Sequence, residues 1–545
     1  MQHILSRVAL FRGGFDQTAA AAVAGADLLT LAELVDKAWL YRAPGERYQM
    51  HELLRQFAAE KLTEAGADYR ETEARHTAFY LHRVAEREQA LIGPTQRGVL
   101  DALSAENDNV QAAWHSAINR CDWRLLDQAL QALYRFYYIR SRYGEGKEQF
   151  AYALQQLSQT TSAAEKGDQQ FLQRLQARLG SFCLALGELD AAEATFAAVL
   201  QDSIEASELA FVYAQLGEAA RWRGNRQAAQ EALEKSLNQA HASGDQNRMA
   251  KAFLGLADVA SAFSDFAAGE GYAREALALC RPLQRPDLTA RVVASLAWAV
   301  NSQGAYAESA HYYHESLTIA ESIGNSFSIG VAIQFLGWVA YCEGGARLAE
   351  ALAQYERAIA IFRQIGHKNH LAMTLGDYAL AASECGHHTA ALRAAQEGLA
   401  LAQASGQRTM VAYNLNGMGA ATCALHDVAA SRRYLHEALQ LTSSSQLDDH
   451  SMVALYWLAQ LHLNESQTAS SAAQRLEIQL QALELLSLVA HNPATWQLFR
   501  DRAQRAQAEL AVMLPAELAA AAIARGQDRS PAEVFTALLQ DGMTN

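Results

Sequence analysis

The chain has 545 residues, half of them apolar and 19% charged, with only seven prolines and a formal net charge of −14. The length exceeds a single globular core and predicts two or three parts, while the acidic balance argues against a nucleic-acid-binding arm. No run of 18 or more apolar residues occurs, the start Met1-Gln2-His3-Ile4-Leu5-Ser6-Arg7 lacks a signal-peptide layout, and the six cysteines are scattered without a C-x-x-C pair. A protein without a membrane span, cytoplasmic and with reduced thiols, is expected.

Residues 1–62 read as a small module of their own. Ile4, Val8, Leu10 and Phe11 mark a short helix closed by Gly13-Gly14. Asp16 is placed to cap a second helix, Gln17 to Ala24, and a third covers Leu28 to Trp39. Leu40-Tyr41-Arg42 and Arg47-Tyr48-Gln49-Met50 flank Ala43-Pro44-Gly45-Glu46, a turn that makes a hairpin. A helix from about His51 to Leu62 follows. Three helices and a β wing make a winged helix. The module carries seven Lys/Arg against seven Asp/Glu, so no positive face for DNA is expected, and packing between neighbouring parts is the favoured role.

Three strings in this module, Phe11-Arg12-Gly13-Gly14-Phe15, Leu34-Val35-Asp36-Lys37 and Tyr48 to Ala58, resemble the winged-helix domain of the STAND ATPases, the multidomain switches that include NB-ARC proteins and many bacterial transcriptional regulators. Met50-His51-Glu52 stands where that family carries Met-His-Asp, with Glu52 in place of Asp. The resemblance implies that His51 reaches the ADP phosphates of a preceding nucleotide-binding domain, where an imidazole donates to phosphate oxygen. The P-loop G-x-x-x-x-G-K-[ST] is absent, and Gly144-Glu145-Gly146-Lys147-Glu148 lacks both the upstream Gly and the Ser/Thr. No cofactor is therefore expected in this chain, and ADP or ATP only with a nucleotide-binding domain supplied in cis or trans. The chain is then a fragment of a larger regulator or a product that kept the sensor half.

Residues 63–160 read as a helical connector with irregular first repeats. Arg75 to Leu81 form one amphipathic face, and Leu91-Ile92-Gly93-Pro94 breaks the chain. Leu103 to Ala113 and Tyr134-Arg135-Phe136-Tyr137-Tyr138 resemble the stretch that follows the winged helix in the same regulators. The aromatic string serves a ligand pocket or the core; its spacing beside Leu130 and Leu133 favours core.

A repeat organises residues 161–445, behind a polar loop at 161–168. Gly187, Gly224, Ser264, Gly304, Gly344, Gly386 and His426 are spaced by 37, 40, 40, 40, 42 and 40 residues. Thirteen residues after each lies an apolar residue, usually behind a small one, as in Ser236-Leu237 and Ser316-Leu317; Val199 precedes Leu200, and Ala358-Ile359 falls two later. Gly244-Asp245, Gly324-Asn325, Gly366-His367 and Gly406-Gln407 mark the joints between units, with Pro286-Asp287 in the remaining slot. Each unit carries two 3.6-period stripes, hence two antiparallel helices that bury their faces only by stacking. The pattern resembles the tetratricopeptide repeat in a longer form, similar to the sensor arms of bacterial signal-transduction ATPases such as the maltose-regulon activator.

Residues 446–545 are expected to close the stack. Ser443-Ser444-Ser445 marks a turn, helices follow at Met452–Leu463 and Ala472–Ala490, and Pro493 is placed to start the next. Leu514 to Gln527 and Ser530 to Phe535 resemble the closing segment of those regulators: a helix, a turn at Gly526 and a final helix capped by Ser530-Pro531-Ala532-Glu533. A natural C-terminus with no DNA-binding domain after it is expected.

No catalytic or metal pattern stands out. Cys385, His387, His388, His367 and His370, and the pair His311 and His314, lack zinc-site spacing, and no G-x-S-x-G or H-E-x-x-H occurs, so no metal and no enzyme are expected. Trp222, Trp298, Trp338, Tyr341, Tyr378, Tyr413 and Asn414 lie on the first helices of the units, which form the concave face. They serve either partner recognition or repeat packing, and both readings stay open. The whole reads as an all-α, right-handed superhelix of tetratricopeptide-like repeats with period about 40, led by a winged helix. The implied function is the sensing and protein-interaction region of a STAND-type regulator. Its expected partners are a protein, a peptide or a small-molecule inducer on the solenoid. The alternative is a stand-alone scaffold that binds peptides in its groove.

Overall fold

The chain folds as helices laid side by side, which is what a 3.6-residue apolar period requires of faces that must leave water. The computed structural model describes residues 1–160, 166–201, 204–443, 448–530, 533–534 and 536–537. They form two compact units, Met1–Phe182 and Cys183–Asn545. The first takes in the expected N-terminal module, the connector and the start of the expected repeat region, and the second takes in the rest of the repeats and the closing helices.

The first unit runs α1 (Gln2–Val8), α2 (Gln17–Ala19, continued as a π turn over Ala20–Ala24), α3 (Leu28–Asp36), β1 (Leu40–Ala43), β2 (Arg47–Met50), α4 (Glu52–Glu64), α5 (Ala67–Ala85), α6 (Gln96–Asn119), α7 (Trp123–Ile139), α8 (Tyr143–Thr160) and the start of α9 (Lys166–Ala185). Asp16 and Asp27 cap α2 and α3 by accepting from the N–H of Ala19 at 2.7 Å and of Thr30 at 2.8 Å. The third helix stops at Asp36, short of the expected Trp39, because Ala38 turns left-handed at φ 57°. The hairpin is antiparallel, with Leu40 opposite Met50 and Ala43 opposite Arg47. Residues 166–168, expected in a polar loop, are the first turn of α9, and the rest of that loop lies outside the described residues.

The strings that suggested one family turn out to be each other's packing partners. Asn109 on α6 accepts from the N–H of Arg12 at 2.6 Å and donates to the carbonyl of Gly14 at 2.8 Å. Gly13 sits at φ 71°, a backbone that favours glycine, and lies against the Asp108 side chain, whose Oδ2 would be 2.7 Å from a Cβ there. Phe11, Phe15, His76 and Tyr80 stack behind it, with ring centroids 4.3 Å apart for the two phenylalanines and 4.7 Å for His76 and Tyr80. Arg83 bridges Asp16 and Glu106 at 2.6 and 3.3 Å. Tyr134, Phe136 and Tyr137 are buried, so the aromatic string of α7 is core.

The second unit begins with the end of α9 and α10 (Leu189–Val199). Helix pairs follow: α11 (Ala206–Trp222) with α12 (Arg226–Ser243), α13 (Gln246–Ala262) with α14 (Phe266–Cys280), α15 (Pro286–Ser302) with α16 (Tyr306–Ile323), and α17 (Ser326–Glu343) with α18 (Leu348–Ile365). Then come α19 (Lys368–Glu384) with α20 (His388–Ala404), α21 (Arg408–Ala424) with α22 (Val428–Ser443), and α23 (Asp448–Gln467) with α24 (Ala472–His491). Last are α25 (Gln497–Met513) and α26 (Ala516–Asp528). All seven repeat marks are left-handed, from φ 60° at His426 to 89° at Gly304, and Ser264 and His426 bear that strain without being glycine. A 3-10 turn over Gly345–Arg347 precedes α18, which accounts for the 42-residue interval and for the late Ala358-Ile359.

The small residue at the crossing of each pair is the one sealed in. Ser236 and Ser316 are buried and donate to the carbonyls of Ala210 and Ala290, each at 2.7 Å, while Ala276, Ala358 and Ala438 fill the place without a bond. A larger side chain would push the helices apart. The stack curls far enough for α11 to meet α19 and α21: Trp222 packs on His370 at 5.8 Å between ring centroids, and Arg223 donates to the carbonyl of Gly406 at 3.4 Å. This unit is the expected all-α superhelix of tetratricopeptide-like repeats. No single helix among the described residues is long and apolar enough to cross a membrane.

Two expectations at the C-terminus are corrected. Pro493 does not open a helix; it lies in a loop, and α25 starts at Gln497 with Trp496 as N-cap. Gly526 is not a turn. It lies inside α26, where a Cβ would come within 2.3 Å of the Glu484 carbonyl, so glycine lets α26 rest on α24. Ser530 and Glu533 exchange the reciprocal bonds of a capping box at 2.9 and 3.2 Å, while Pro531, Ala532 and Phe535, like Ser444 and Ser445, lie outside the described residues.

Candidate functional site

The first helix of each pair faces the inside of the curl, and one register position on it tells most of the story. Six residues before the left-handed turn residue stand Glu218, Asp258, Trp298 and Trp338 in four successive pairs. Neighbouring first helices are linked at the same period. Ser295 donates to Asp258 at 2.6 Å, Trp338 to Asn301 at 3.1 Å, Gln334 to Asp377 at 2.8 Å and Gln407 to Asn369 at 2.7 Å.

On α11 to α15 the inner face is charged. Arg221 pairs with Glu218 at 2.6 Å and lies over the Trp222 ring at 4.2 Å, and Trp222 donates to Glu218 at 2.7 Å. The pair keeps 28% and 17% of its side-chain surface for Glu218 and Arg221, so it lines the inner surface and is not sealed in the core. Burial pushes the Glu218 carboxyl up, but the charge and hydrogen bonds of Arg221 outweigh it and hold the carboxyl below its ordinary range. Asp258 moves the other way, because burial outweighs the pull of Arg221. Two nearby carboxyls are thus driven apart by their surroundings, and Arg291 acts on both.

A relay of polar groups follows. His370 shares a hydrogen bond with Gln334 at 3.2 Å, Gln334 donates to Asp377, and Tyr413 donates to the other Asp377 oxygen at 2.5 Å. Burial lifts Asp377 to about 7, so its carboxyl changes charge around neutrality, while burial holds His367 down to about 3 and keeps that imidazole neutral there.

From α15 onward the inner face is aromatic, and a segment of the same chain fills it. Trp496 lies with its ring centroid 6.1 Å from Trp298, 5.4 Å from Trp338, 6.1 Å from Tyr413 and 5.4 Å from His450. Arg502, two turns along α25, lies over the Tyr341 ring at 4.8 Å, donates to its hydroxyl at 3.0 Å and pairs with Glu384.

The seven aromatic and polar residues expected on the concave face are therefore mostly inside it. Trp222, Trp338, Tyr341, Tyr413 and Asn414 are buried, while Trp298 and Tyr378 are half-buried. Trp298, Trp338, Tyr341 and Tyr413 come together around α25. Asn414 instead donates to the Ala372 and Met410 carbonyls at 3.1 and 2.8 Å under Gly398, and Tyr378 packs on the apolar cluster around Phe362; both hold helices together. Sequence reasoning missed Glu218, Arg221, Asp258 and Trp496. Aligning the repeats on the turn residue would have put the two acids on the tryptophan register.

His51 belongs to the first unit. It is the exposed N-cap of α4, directly after β2, and its side chain makes no capping bond. Leu53 and Phe57 beside it on α4 are 73% and 59% exposed, an unusual openness for apolar side chains one turn apart. Gly146 forms no phosphate loop; it sits in the first turn of α8 against the Phe182 ring. Among the described residues no group of His, Cys, Asp and Glu converges as a metal site.

No family model and no curated protein matches the sequence. Among solved structures the chain is similar to a Rap protein complexed with competence and sporulation factor, at 14% identity over 74% of this chain and 99% of that one, with a TM-score of 0.48. It is also similar to a STAND protein with a tetratricopeptide repeat sensor from Pyrococcus horikoshii, at 16% identity over 83% of this chain and 65% of that one, with a TM-score of 0.47. A third similar structure is NprR in complex with its cognate peptide NprX, at 13% identity over 63% and 94%, with a TM-score of 0.40. The fold assignment rests on the repeat geometry itself.

Proposed function

We propose that this chain is the sensing region of a STAND-type regulator, in which an effector or protein partner taken up on the inner face of the solenoid changes how the N-terminal module, a winged helix, docks on a nucleotide-binding domain outside this chain. The observation that carries the reading is the charged end of the inner register: Glu218 and Asp258 place carboxyls on the inner surface at the position that Trp298 and Trp338 fill with packed rings in the next two pairs. Such a switch works only when the effector binds the two states with different affinity. The exposed face of His51, Leu53 and Phe57 is the surface assigned to the nucleotide-binding domain, with His51 donating to phosphate. In this reading the chain holds no cofactor of its own and turns over no substrate.

The test is ADP release from a complex of the chain with that domain, followed with a fluorescent ADP analogue. His51→Ala should speed release several-fold. Release at the wild-type rate removes the nucleotide role of His51. The remaining reading is then a stand-alone scaffold, which the aromatic groove on α15 to α23 favours because apolar rings in a trough suit a peptide better than a small charged inducer.

A further inference from the structure

We infer that Asn492–Met513 is an internal ligand of the aromatic groove. In its place the groove takes a helical peptide of a partner protein that presents an aromatic residue and, six residues later, an arginine. The inference rests on the reading of the solenoid as a binding arm and adds to it a gate.

The segment is built to present Trp496. Arg500 donates to the carbonyls of Asn492, Pro493 and Thr495 at 3.1, 3.2 and 3.1 Å. Asn492 accepts from the N–H of Ala494 at 2.9 Å, and Thr495 donates to the Val489 carbonyl at 2.8 Å. This clamped loop carries the indole into rings from α15, α17, α21 and α23, so four separate pairs supply one seat. Arg502 then reaches Tyr341 and Glu384, which fixes the spacing of a two-point ligand.

The seat fits this occupant incompletely. Trp496 is buried, yet its indole N–H has no hydrogen-bond partner, and neither do His450 Nδ1 and the Asn301 amide nitrogen, both buried in the same wall. A buried indole N–H normally finds an acceptor, and stranding one weakens the hold. A ligand that offers a carbonyl to Asn301 or sets a ring without N–H in the box would answer what the internal segment leaves open.

Leaving requires α25 to give up its packing on α24 and the burial of Phe499 and Ala503, but the cap is anchored separately. In an unbroken stack α26 would pair with α25; instead it rests on α24, where Ser487 donates to the Ile523 carbonyl at 2.9 Å and Arg525 and Arg529 pair with Glu484 at 2.9 and 2.6 Å. The cap therefore stays when α25 swings out. At the far end of α25 Val512 and Met513 are 88% and 70% exposed, while Leu510 and Leu514 on either side of them are buried.

The test uses the full chain and a fluorescein-labelled peptide of residues 492–513. If the internal segment fills the groove about 99% of the time, the apparent affinity for the peptide is about 100-fold below its intrinsic value. Trp496→Ala with Arg502→Ala should then bind the peptide at least ten-fold more tightly than wild type, and the same peptide with its tryptophan replaced by alanine should not bind. Equal affinity for both proteins overturns the gate while leaving the solenoid a binding arm, so the two readings fail separately. No binding to the folded double variant overturns the recognition pattern. Should that variant not fold, hydrogen exchange on wild type decides. Saturating peptide should speed exchange across α25 while α24 and α26 stay protected, and unchanged exchange in α25 overturns the proposal.

Discussion

Glu218 and Asp258 on one side, Trp298 and Trp338 on the other, stand at one register position of one repeated backbone. In the first stretch the position is charged, paired with Arg221 and Ser295, and keeps contact with solvent; in the second it is aromatic and roofed by α25. The backbone is indifferent to the choice, because each first helix presents that position inward regardless. What the difference teaches is that a solenoid separates scaffold from surface: small residues at the crossings hold the pairs, and the inner register is free to carry chemistry.

The contrast breaks most severely at Trp338. Trp338→Ala removes a buried ring and its bond to Asn301, and should cost roughly 3–5 kcal/mol. The loss should be read by hydrogen exchange and confined to α15 through α19, since each repeat leans only on its neighbours; global loosening would show that the stack is more cooperative than its geometry implies. At the charged end Arg221→Ala should cost roughly 2 kcal/mol, less than a sealed pair because solvent still reaches it. Glu218→Leu with Arg221→Met should be close to neutral by thermal melting, and a large loss there would mark the pair as a structural need.

A pH series sharpens the comparison between the two units. Asp377 in the second unit is raised to about 7 by burial, so the stability it contributes is whole below its unfolded value near 3.8 and is lost as pH rises towards 7. Asp377→Asn should gain on the order of a few kcal/mol over wild type at pH 8 and nothing at pH 4. His76 in the first unit is lowered to about 4 by burial, so its contribution is whole above pH 6.5 and lost as pH falls to 4. His76→Gln should blunt acid unfolding of Met1–Phe182, followed by near-ultraviolet circular dichroism. In the second unit His367, His370 and His462 carry the sign of His76, so the Asp377 effect is read only as a difference between variants. A small and matched effect belongs to the crossings. Ser236→Ala and Ser316→Ala should each cost about 1 kcal/mol and equally, because both lose the same bond at the same register.

Much of the fold was legible in the chain. The left-handed residues from Gly187 to His426, the caps at Asp16 and Ser530, the hairpin of Leu40–Met50 and the burial of Phe136 and Tyr137 all follow from local chemistry: φ preference, hydrogen-bonding side chains beside orphan N–H groups, and apolar spacing. The misses share a different cause. Gly526 reads as a turn until α24 is known to lie against it, and Pro493 reads as a helix start until Arg500 is seen holding its loop open. Among the concave-face residues Asn414 looked like Tyr413, one position away, and only the neighbouring helices decide that one bonds a carbonyl while the other meets Asp377.

The sequence by itself determined the period, the two helices of each unit and the turns that join them, because each is set by residues within a few positions of one another. Tertiary structure alone decided that Phe11–Phe15 is clamped by Asn109, that the curl brings Trp222 to His370, and that Trp496 fills the groove. Those contacts join residues about 90 to 200 positions apart, and burial, which acts on surfaces with no regard for chain order, is what pairs them.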